Sequence, residues 1–241
     1  MEDPSLFEDN FNPAIINAFR SGADDDGLYG FADQLSVTAP YVNKTLFDQA
    51  GVALPSDKMD EPTWEDWVAA LTEVADATGV DYAFAIDNKG HRFAGPAMSM
   101  GANFFDDEGN FDLGDDEGFR AFAELLKSMM DEKQTPAETW LGTSQYAGAH
   151  EYFINVQTVM HFSGSWNIGR YATEIGDAFD WVVVPNPYGE GGSTGVAGGA
   201  GIVGFAQTEH PEEVAMLMEY LLQPEVYGEY SARSLLIPAH E

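Results

Sequence analysis

Any fold open to this chain has to absorb a formal net charge of −31, from 41 Asp and Glu against 10 Lys and Arg, spread along the whole length. Like charges at that density push a compact state apart. Ten cations cannot neutralise the carboxylates by pairing, so the fold must rest on apolar burial and on screening by the solvent. At about 1 M salt the Debye length shrinks to roughly 3 Å, and most repulsion between surface groups disappears. A merely acidic protein is the plainer reading. The even spread, with no acidic tail to account for it, points instead to adaptation to molar salt. Nucleic acid and anionic membrane surfaces are poor partners, because phosphate binding calls for clustered Lys and Arg.

A core is available: 44% of the 241 residues are apolar and 13% aromatic, interleaved with polar positions. That length suits one large domain or two lobes. There is no cysteine, which rules out disulfides, thiolate nucleophiles and thiolate metal sites. No apolar run reaches the roughly 18 residues of a membrane-spanning helix. The start, MEDPSLFEDNFNPAI, has neither the basic region nor the apolar stretch of a secretory signal, so export would need a signal outside this chain.

Short strands alternate with helices, the pattern of a layered α/β fold. A brief helical pattern surrounds Ile15, Ile16 and Phe19, ahead of the acidic turn Asp24–Asp26. Leu28–Phe31 and Leu35–Val42 read as separate strands, the second an edge or crossing strand because it contains Pro40. Residues 43–51 form a helix closed by Gly51, and 54–62 a loop. Thr63 caps a helix carrying Trp64, Trp67, Leu71 and Val74 on one stripe, with Asp66 three residues on. Strands are expected at 82–86, 158–162, 181–184 (buried) and 202–206, and a small hairpin around Glu108–Gly109. Helices are expected at 93–100, 117–132, 147–153, 167–176 and 209–222. The glycine-rich stretch 190–201 reads as a loop.

Chemical motifs are sparse. Gly199-Ala-Gly201-Ile-Val-Gly204 fits G-x-G-x-x-G, but that motif binds dinucleotides only between a strand and a helix, and here it leads into a strand. None of the five histidines has metal-ligand spacing. The acidic loops 24–26 and 106–112 lack the register of a calcium loop and read as solvated faces. Carboxylate pairs occur everywhere in so acidic a chain, so they carry no information about catalysis, and G-x-S-x-G is absent.

Trp166 stands apart. Core packing is its plainer role, as for Trp67 and Trp181. It follows Ser163-Gly164-Ser165, however, small polar residues just past a strand end and at the start of a helix. An indole placed there can project and stack on the apolar face of a sugar ring, beside helix-start amides that can bond hydroxyls.

Seven segments, in order, carry a family resemblance: Gly27-Leu-Tyr-Gly-Phe31, Tyr41-Val-Asn-Lys-Thr-Leu-Phe-Asp-Gln-Ala-Gly51, Pro62-Thr-Trp-Glu-Asp-Trp67, Val156-Gln-Thr-Val-Met-His-Phe-Ser-Gly-Ser-Trp166, Pro185-Asn-Pro-Tyr-Gly189 with Gly198-Gly199, Glu209-His-Pro-Glu-Glu-Val214 and Leu236-Ile-Pro-Ala239. The series resembles the extracellular solute-binding proteins of carbohydrate-uptake ABC transporters, of the maltose-binding-protein type. The resemblance implies an α/β, type II periplasmic-binding-protein fold of two lobes with hinge crossings. The N-terminal part of the first lobe and the C-terminal helices would be missing. Residues 1–36 would then be part of the first lobe and 37–184 the second lobe with its crossings. Residues 185–241 would return to the first lobe and start a third crossing.

By that resemblance the protein is no enzyme and needs no cofactor or metal. It would be a monomer that binds a sugar or oligosaccharide in the interlobe cleft and delivers it to the permease subunits. It would sit at the cell surface, secreted or lipid-anchored. Trp166 would stack on the ligand, with Gly164 and Ser165 at the same turn, and Gly198 and Gly199 offering backbone groups. Ser36 at the first crossing, and Arg92 as a forked donor to hydroxyls or a carboxylate, would add contacts; a surface ion pair is the plainer role for Arg92. Other solutes (a polyol, glycerol phosphate, a peptide) and a glycan-acting enzyme fragment are the alternatives.

If self-repulsion limits stability, the melting temperature should rise steeply between about 0.1 M and above 1 M sodium chloride, as the Debye length falls from roughly 10 to 3 Å. Different chloride salts should act alike. A flat profile across that range would remove the argument for salt adaptation.

Overall fold

Where the capping and apolar patterns are strongest, the helices form as those patterns dictate. In the computed structural model, which describes residues 11, 13–20, 27–106, 108–111, 113 and 116–239, Thr63 opens the helix Trp64–Thr78 with a complete capping box. Its hydroxyl accepts the Asp66 amide at 3.3 Å, and the Asp66 carboxylate accepts the Thr63 amide at 2.9 Å. Gly79, at φ 74°, closes the helix in the left-handed region. Trp64, Trp67, Leu71 and Val74 are all buried, each a contribution of about 1.5–3 kcal/mol. Helix Lys44–Ala50 is built likewise, between the Asn43 side chain, which accepts the Leu46 amide, and Gly51 at φ 69°.

The chain divides into two compact units, one formed by Met1–Val37 and Ala197–Glu241, the other by Thr38–Val196. Strand β1 (Gly30–Asn43) contributes to both. In the larger unit its residues from Thr38 onward join β2 (Tyr82–Ile86), β3 (Thr158–Gly164) and β4 (Trp181–Val183) in the order β2-β3-β1-β4. β2 runs parallel to β3, and β1 is antiparallel to both β3 and β4. Helix Trp64–Thr78 packs on β2 and β3, and Trp64 lies among Phe84, Phe122 and Phe162 with its indole N–H donating to the Ser99 hydroxyl at 2.8 Å. Helix Glu117–Asp131 adds Phe122, Leu126 and Met129 to this core. Phe153, Tyr171, Ile175 and Phe179 form a second cluster with Tyr41.

In the smaller unit, residues of β1 from Gly30 to Val37 pair antiparallel with β5 (Ala197–Val203). Phe31, Ala32, Ile16, Met218, Leu222 and Tyr227 make its core, drawn partly from helices Pro13–Asn17, Pro211–Leu221 and Pro224–Ser234. Tyr227 ties the unit together: its hydroxyl donates to the Asp33 carbonyl at 2.7 Å and accepts the Ala239 amide at 2.8 Å.

Several expectations need correction. The two expected strands at 28–31 and 35–42 are one strand, and Pro40 lies inside it, between β3 and β4. The sheet tolerates this because the N and C=O of one residue in an antiparallel pair face the same neighbour. The Pro40 carbonyl accepts the Val184 amide at 3.1 Å, so its ring nitrogen faces the region just past the last β1–β4 pair, Tyr41–Val183. No ladder bond inside the sheet is lost. β4 is an edge strand rather than a buried one, with Val183 46% exposed.

The glycine-rich stretch is also not all loop. Residues 197–203 are β5, in which small residues allow close pairing. Residues 190–196 remain loop and group with the larger unit: Val196 N–H donates to the Thr38 hydroxyl at 2.8 Å, and Gly191 N–H to the Ser99 carbonyl at 2.9 Å. A Cβ on Gly191 would stand 1.9 Å from the Met98 carbonyl oxygen, which requires glycine there. Pro55–Lys58 forms a helical turn inside the expected loop, and helices Ala137–Leu141 and Pro224–Ser234 have no strong apolar stripe to announce them. Phe105 and Phe111 pair as the expected small hairpin requires. The acidic turn Asp24–Asp26 lies outside the described residues.

Thr63→Ala removes one half of the capping box and should cost about 1 kcal/mol of stability, within the roughly 0.5–2 kcal/mol usual for a lost N-cap. Urea denaturation should show a lower midpoint with an unchanged slope.

Candidate functional site

All seven residues of β3 are buried, and the strand ends by delivering a tight turn. At its last residue, Gly164, the carbonyl accepts the Tyr41 hydroxyl at 2.7 Å, which fixes where the chain turns. Ser165–Asn167 form one turn of 3₁₀-helix, continued by helix Ile168–Glu174. The Asn167 side-chain amide donates back to the Ser163 hydroxyl at 2.6 Å. Trp166 is half-buried and folds back over its own turn. A Cβ on Gly164 would lie 2.1 Å from the indole. Gly164 is extended, at φ −170°, so glycine is needed here for space and not for conformation.

Arg92, in the first turn of helix Gly90–Ser99, lies over that indole with its guanidinium carbon 4.2 Å from the ring centroid. A cation–π contact of this kind contributes about 0.5–2 kcal/mol, more as it is desolvated. One Nη of Arg92 donates to Nε2 of His91 at 2.7 Å. Arginine has no acceptor, so the His91 proton resides on Nδ1. The His91 ring meets Trp166 edge-on, centroids 5.9 Å apart and planes at 75°.

Behind Arg92 stands Asp87, with Oδ2 3.7 Å from the guanidinium Nε and 3.6 Å from Nε2 of His161. The Ala149 amide donates to its other oxygen at 2.7 Å. Burial works to raise the Asp87 carboxyl pKa, but His161, the Ala149 amide and Arg92 outweigh it and hold the group well below the usual carboxylate range. His161 is fully buried, and loss of hydration pushes its pKa down, against the pull of Asp87. Its Nδ1 is hydrogen-bonded to the Tyr171 hydroxyl, and burial keeps that phenol protonated. With Asp87 facing Nε2, the neutral ring carries its proton there and accepts from Tyr171 at Nδ1.

Of the residues singled out from sequence, the larger unit brings together Gly164, Ser165, Trp166 and Arg92. Arg92 makes an ion pair, but a buried one, and its main neighbour is Trp166. Ser36, Gly198 and Gly199 belong to the smaller unit. There Ser36 pairs with Gly198 and Leu35 with Gly199 across β1 and β5, and a Cβ on Gly199 would stand 2.2 Å from the Gln34 carbonyl oxygen. Asp87, His91, His161 and Tyr171 are site residues that sequence reasoning does not reach. Metal spacing passes over the histidines, whereas an imidazole inside the apolar run Val159-Met-His-Phe162 is itself a sign of a buried polar partner. Among the described residues no group of three or more His, Cys, Asp or Glu could hold a metal ion, and no helix is long and apolar enough to cross a membrane.

The profile of the bacterial extracellular solute-binding proteins matches residues 3–227. The chain belongs to that family. Its members are binding proteins, not enzymes, and act outside the cytoplasmic membrane. An arabinooligosaccharide-binding protein of Halalkalibacterium halodurans is 30% identical over 220 residues, covering 88% of this chain and 46% of that protein. A putative binding protein of Brucella abortus is 23% identical over 241 residues, covering 97% and 56%. The chain thus spans about half the length of the curated relatives it matches.

Among solved structures, an ABC substrate-binding protein of Listeria monocytogenes in complex with cycloalternan matches with a TM-score of 0.80 at 22% identity, over 99% of this chain and 58% of that one. The acarbose-binding GacH receptor of Streptomyces glaucescens matches with 0.79 at 19% identity, over 96% and 57%. Maltose-bound MalE3 of T. maritima gives 0.77 at 18%, over 96% and 59%. These likenesses establish the fold as that of the maltose-binding-protein type.

The buried imidazole gives a pH dependence with a definite sign. Unfolded, His161 takes up a proton near the ordinary pKa of about 6.5; folded, it resists doing so. Its contribution to stability is therefore complete above about pH 6.5 and is lost as pH falls below it. Burial shifts His91 and His150 the same way, while Asp87 adds a loss only below about pH 4. In molar sodium chloride, which screens the carboxylates, the melting temperature should fall between pH 7.5 and 5. The fall should be smaller in His161→Gln, whatever its absolute stability. An equal fall in both would assign the titration to His91 and His150.

Proposed function

We propose that this chain belongs to the extracellular sugar-binding component of an ABC importer, and that Trp166 is its stacking platform. The observation that carries the reading is a half-buried indole held in place by Gly164 beneath it and Arg92 against it, at the end of a fully buried strand. The relatives support a carbohydrate: one is named for arabino-oligosaccharides, and structural neighbours were solved with cycloalternan, acarbose and maltose. A large indole face suits the apolar face of a pyranose or furanose ring.

In this reading the smaller unit is part of the first lobe and the larger unit is the second lobe. Gly164 and Ser165 contact the ligand beside Trp166. On the smaller unit, the Ser36 hydroxyl and the backbone of Gly198 and Gly199 are the proposed polar contacts, glycine permitting close approach. The loaded protein, a monomer, presents its sugar to the permease subunits, from a secreted or lipid-anchored position and in a saline environment to which its charge is suited.

A thermal-shift screen in molar sodium chloride against arabino- and malto-oligosaccharides should find a stabilising sugar. Trp166→Ala should then weaken its binding by about 1–3 kcal/mol, roughly 5- to 150-fold, without unfolding the protein. A folded wild-type protein that responds to no sugar, but to a polyol, glycerol phosphate or a peptide, would replace the carbohydrate with that solute. Trp166→Ala binding as tightly as wild type would make Trp166 a packing residue.

A further inference from the structure

Building on the sugar-binding reading, we propose that Arg92 is a positioning residue rather than a ligand contact. It locks Trp166 and His91 into one rigid two-ring corner, and His91 is the further residue that touches ligand there. The geometry separates the roles. Arg92 is only 6% exposed, whereas His91 is exposed and Trp166 half-buried. A solute reaching this edge meets the two rings before the guanidinium.

Arg92 is engaged in three directions: its plane against the indole at 4.2 Å, one Nη donating to His91 Nε2 at 2.7 Å, and Nε facing Asp87 at 3.7 Å. Asp87 cannot drift, because the Ala149 amide holds it at 2.7 Å and His161 flanks it. The anchoring thus runs from a half-buried carboxylate through a buried planar cation to two rings set at 75°. A flexible ammonium would not reproduce it, since only a guanidinium combines a stacking plane with a fixed fork of donors. With Nε2 of His91 occupied by Arg92, its Nδ1–H is the donor this corner offers to a sugar hydroxyl. The indole supplies the apolar face, and the corner between them selects for a ring that presents both.

The test separates positioning from contact. Trp166 emission and acrylamide quenching, taken as the difference from a Trp166→Phe background, report on the indole without any sugar. Arg92→Lys should raise Trp166 quenching about twofold and weaken arabino-oligosaccharide binding about tenfold. Added to Trp166→Ala, it should cause little further loss, because residues acting as one unit are non-additive. His91→Ala, at an exposed position and so safe for folding, should also raise Trp166 quenching and weaken binding, and it decides the matter if Arg92→Lys does not fold. Unchanged quenching in the variants, or a loss in Arg92→Lys that adds fully to that of Trp166→Ala, would overturn the proposal. Wild type that binds no sugar yet shows the quenching changes would remove the sugar reading and leave the positioning role standing.

Discussion

The larger unit is organised around a strand that touches no water. β3 is buried along its whole length, so each of its backbone groups and both of its faces need a protein partner. β2 pairs on one edge and β1 on the other; Trp64 and its aromatic neighbours cover one face, and Phe153 and Tyr171 cover the other. Such a strand is hard to move. The turn at its end inherits that fixity, which is why a few small residues can hold a large, half-buried indole in place.

The same burial imposes a cost that shapes the site. His161 sits in β3 among apolar residues, and a polar ring there must be bonded on both sides or it destabilises the strand. Tyr171 bonds Nδ1, while Nε2 makes no hydrogen bond and is compensated only electrostatically by the Asp87 carboxylate 3.6 Å away. Asp87, a half-buried carboxylate, in turn needs a cation, and Arg92 provides it. In a chain with ten cations against 41 carboxylates, placing one of the few arginines inside the fold is a notable allocation. The Coulomb attraction is least screened there, so the pair persists at salt concentrations that would erase a surface ion pair.

Much of the fold was legible because its signals are local. The Thr63–Asp66 box, the Trp64–Val74 stripe, Gly51 and Gly79 as stops, and the stripe of Glu117–Asp131 each belong to a single element and need nothing from the rest of the chain. The family motifs carried the architecture in the same way. What escaped was set by distant partners. Pro40 argued for an edge or crossing strand, and β1 does contribute to both units, but the place of Pro40 inside the sheet depends on where β4 ends, more than a hundred residues later. β5 read as loop because glycine has low strand propensity, while its actual determinant is close approach to β1. Trp166 was legible as an indole after small residues. The groups that hold it, Asp87, Arg92 and His161, come from a loop, a helix and a strand that no spacing rule connects.

β5 carries a consequence of its own. Three of its seven residues are glycine and two are alanine, so it has almost no side chains to lock its register against β1. Each glycine also gives up more chain entropy on ordering than alanine would, by roughly 0.5–1 kcal/mol. The β1–β5 ladder is held chiefly by backbone hydrogen bonds, whereas β2–β3 is clamped by a large aromatic core. On hydrogen exchange, amides of β5 would open through local fluctuations well before those of β3, so β1 would show two tiers of protection, one for the residues paired with β5 and one for those paired with β3.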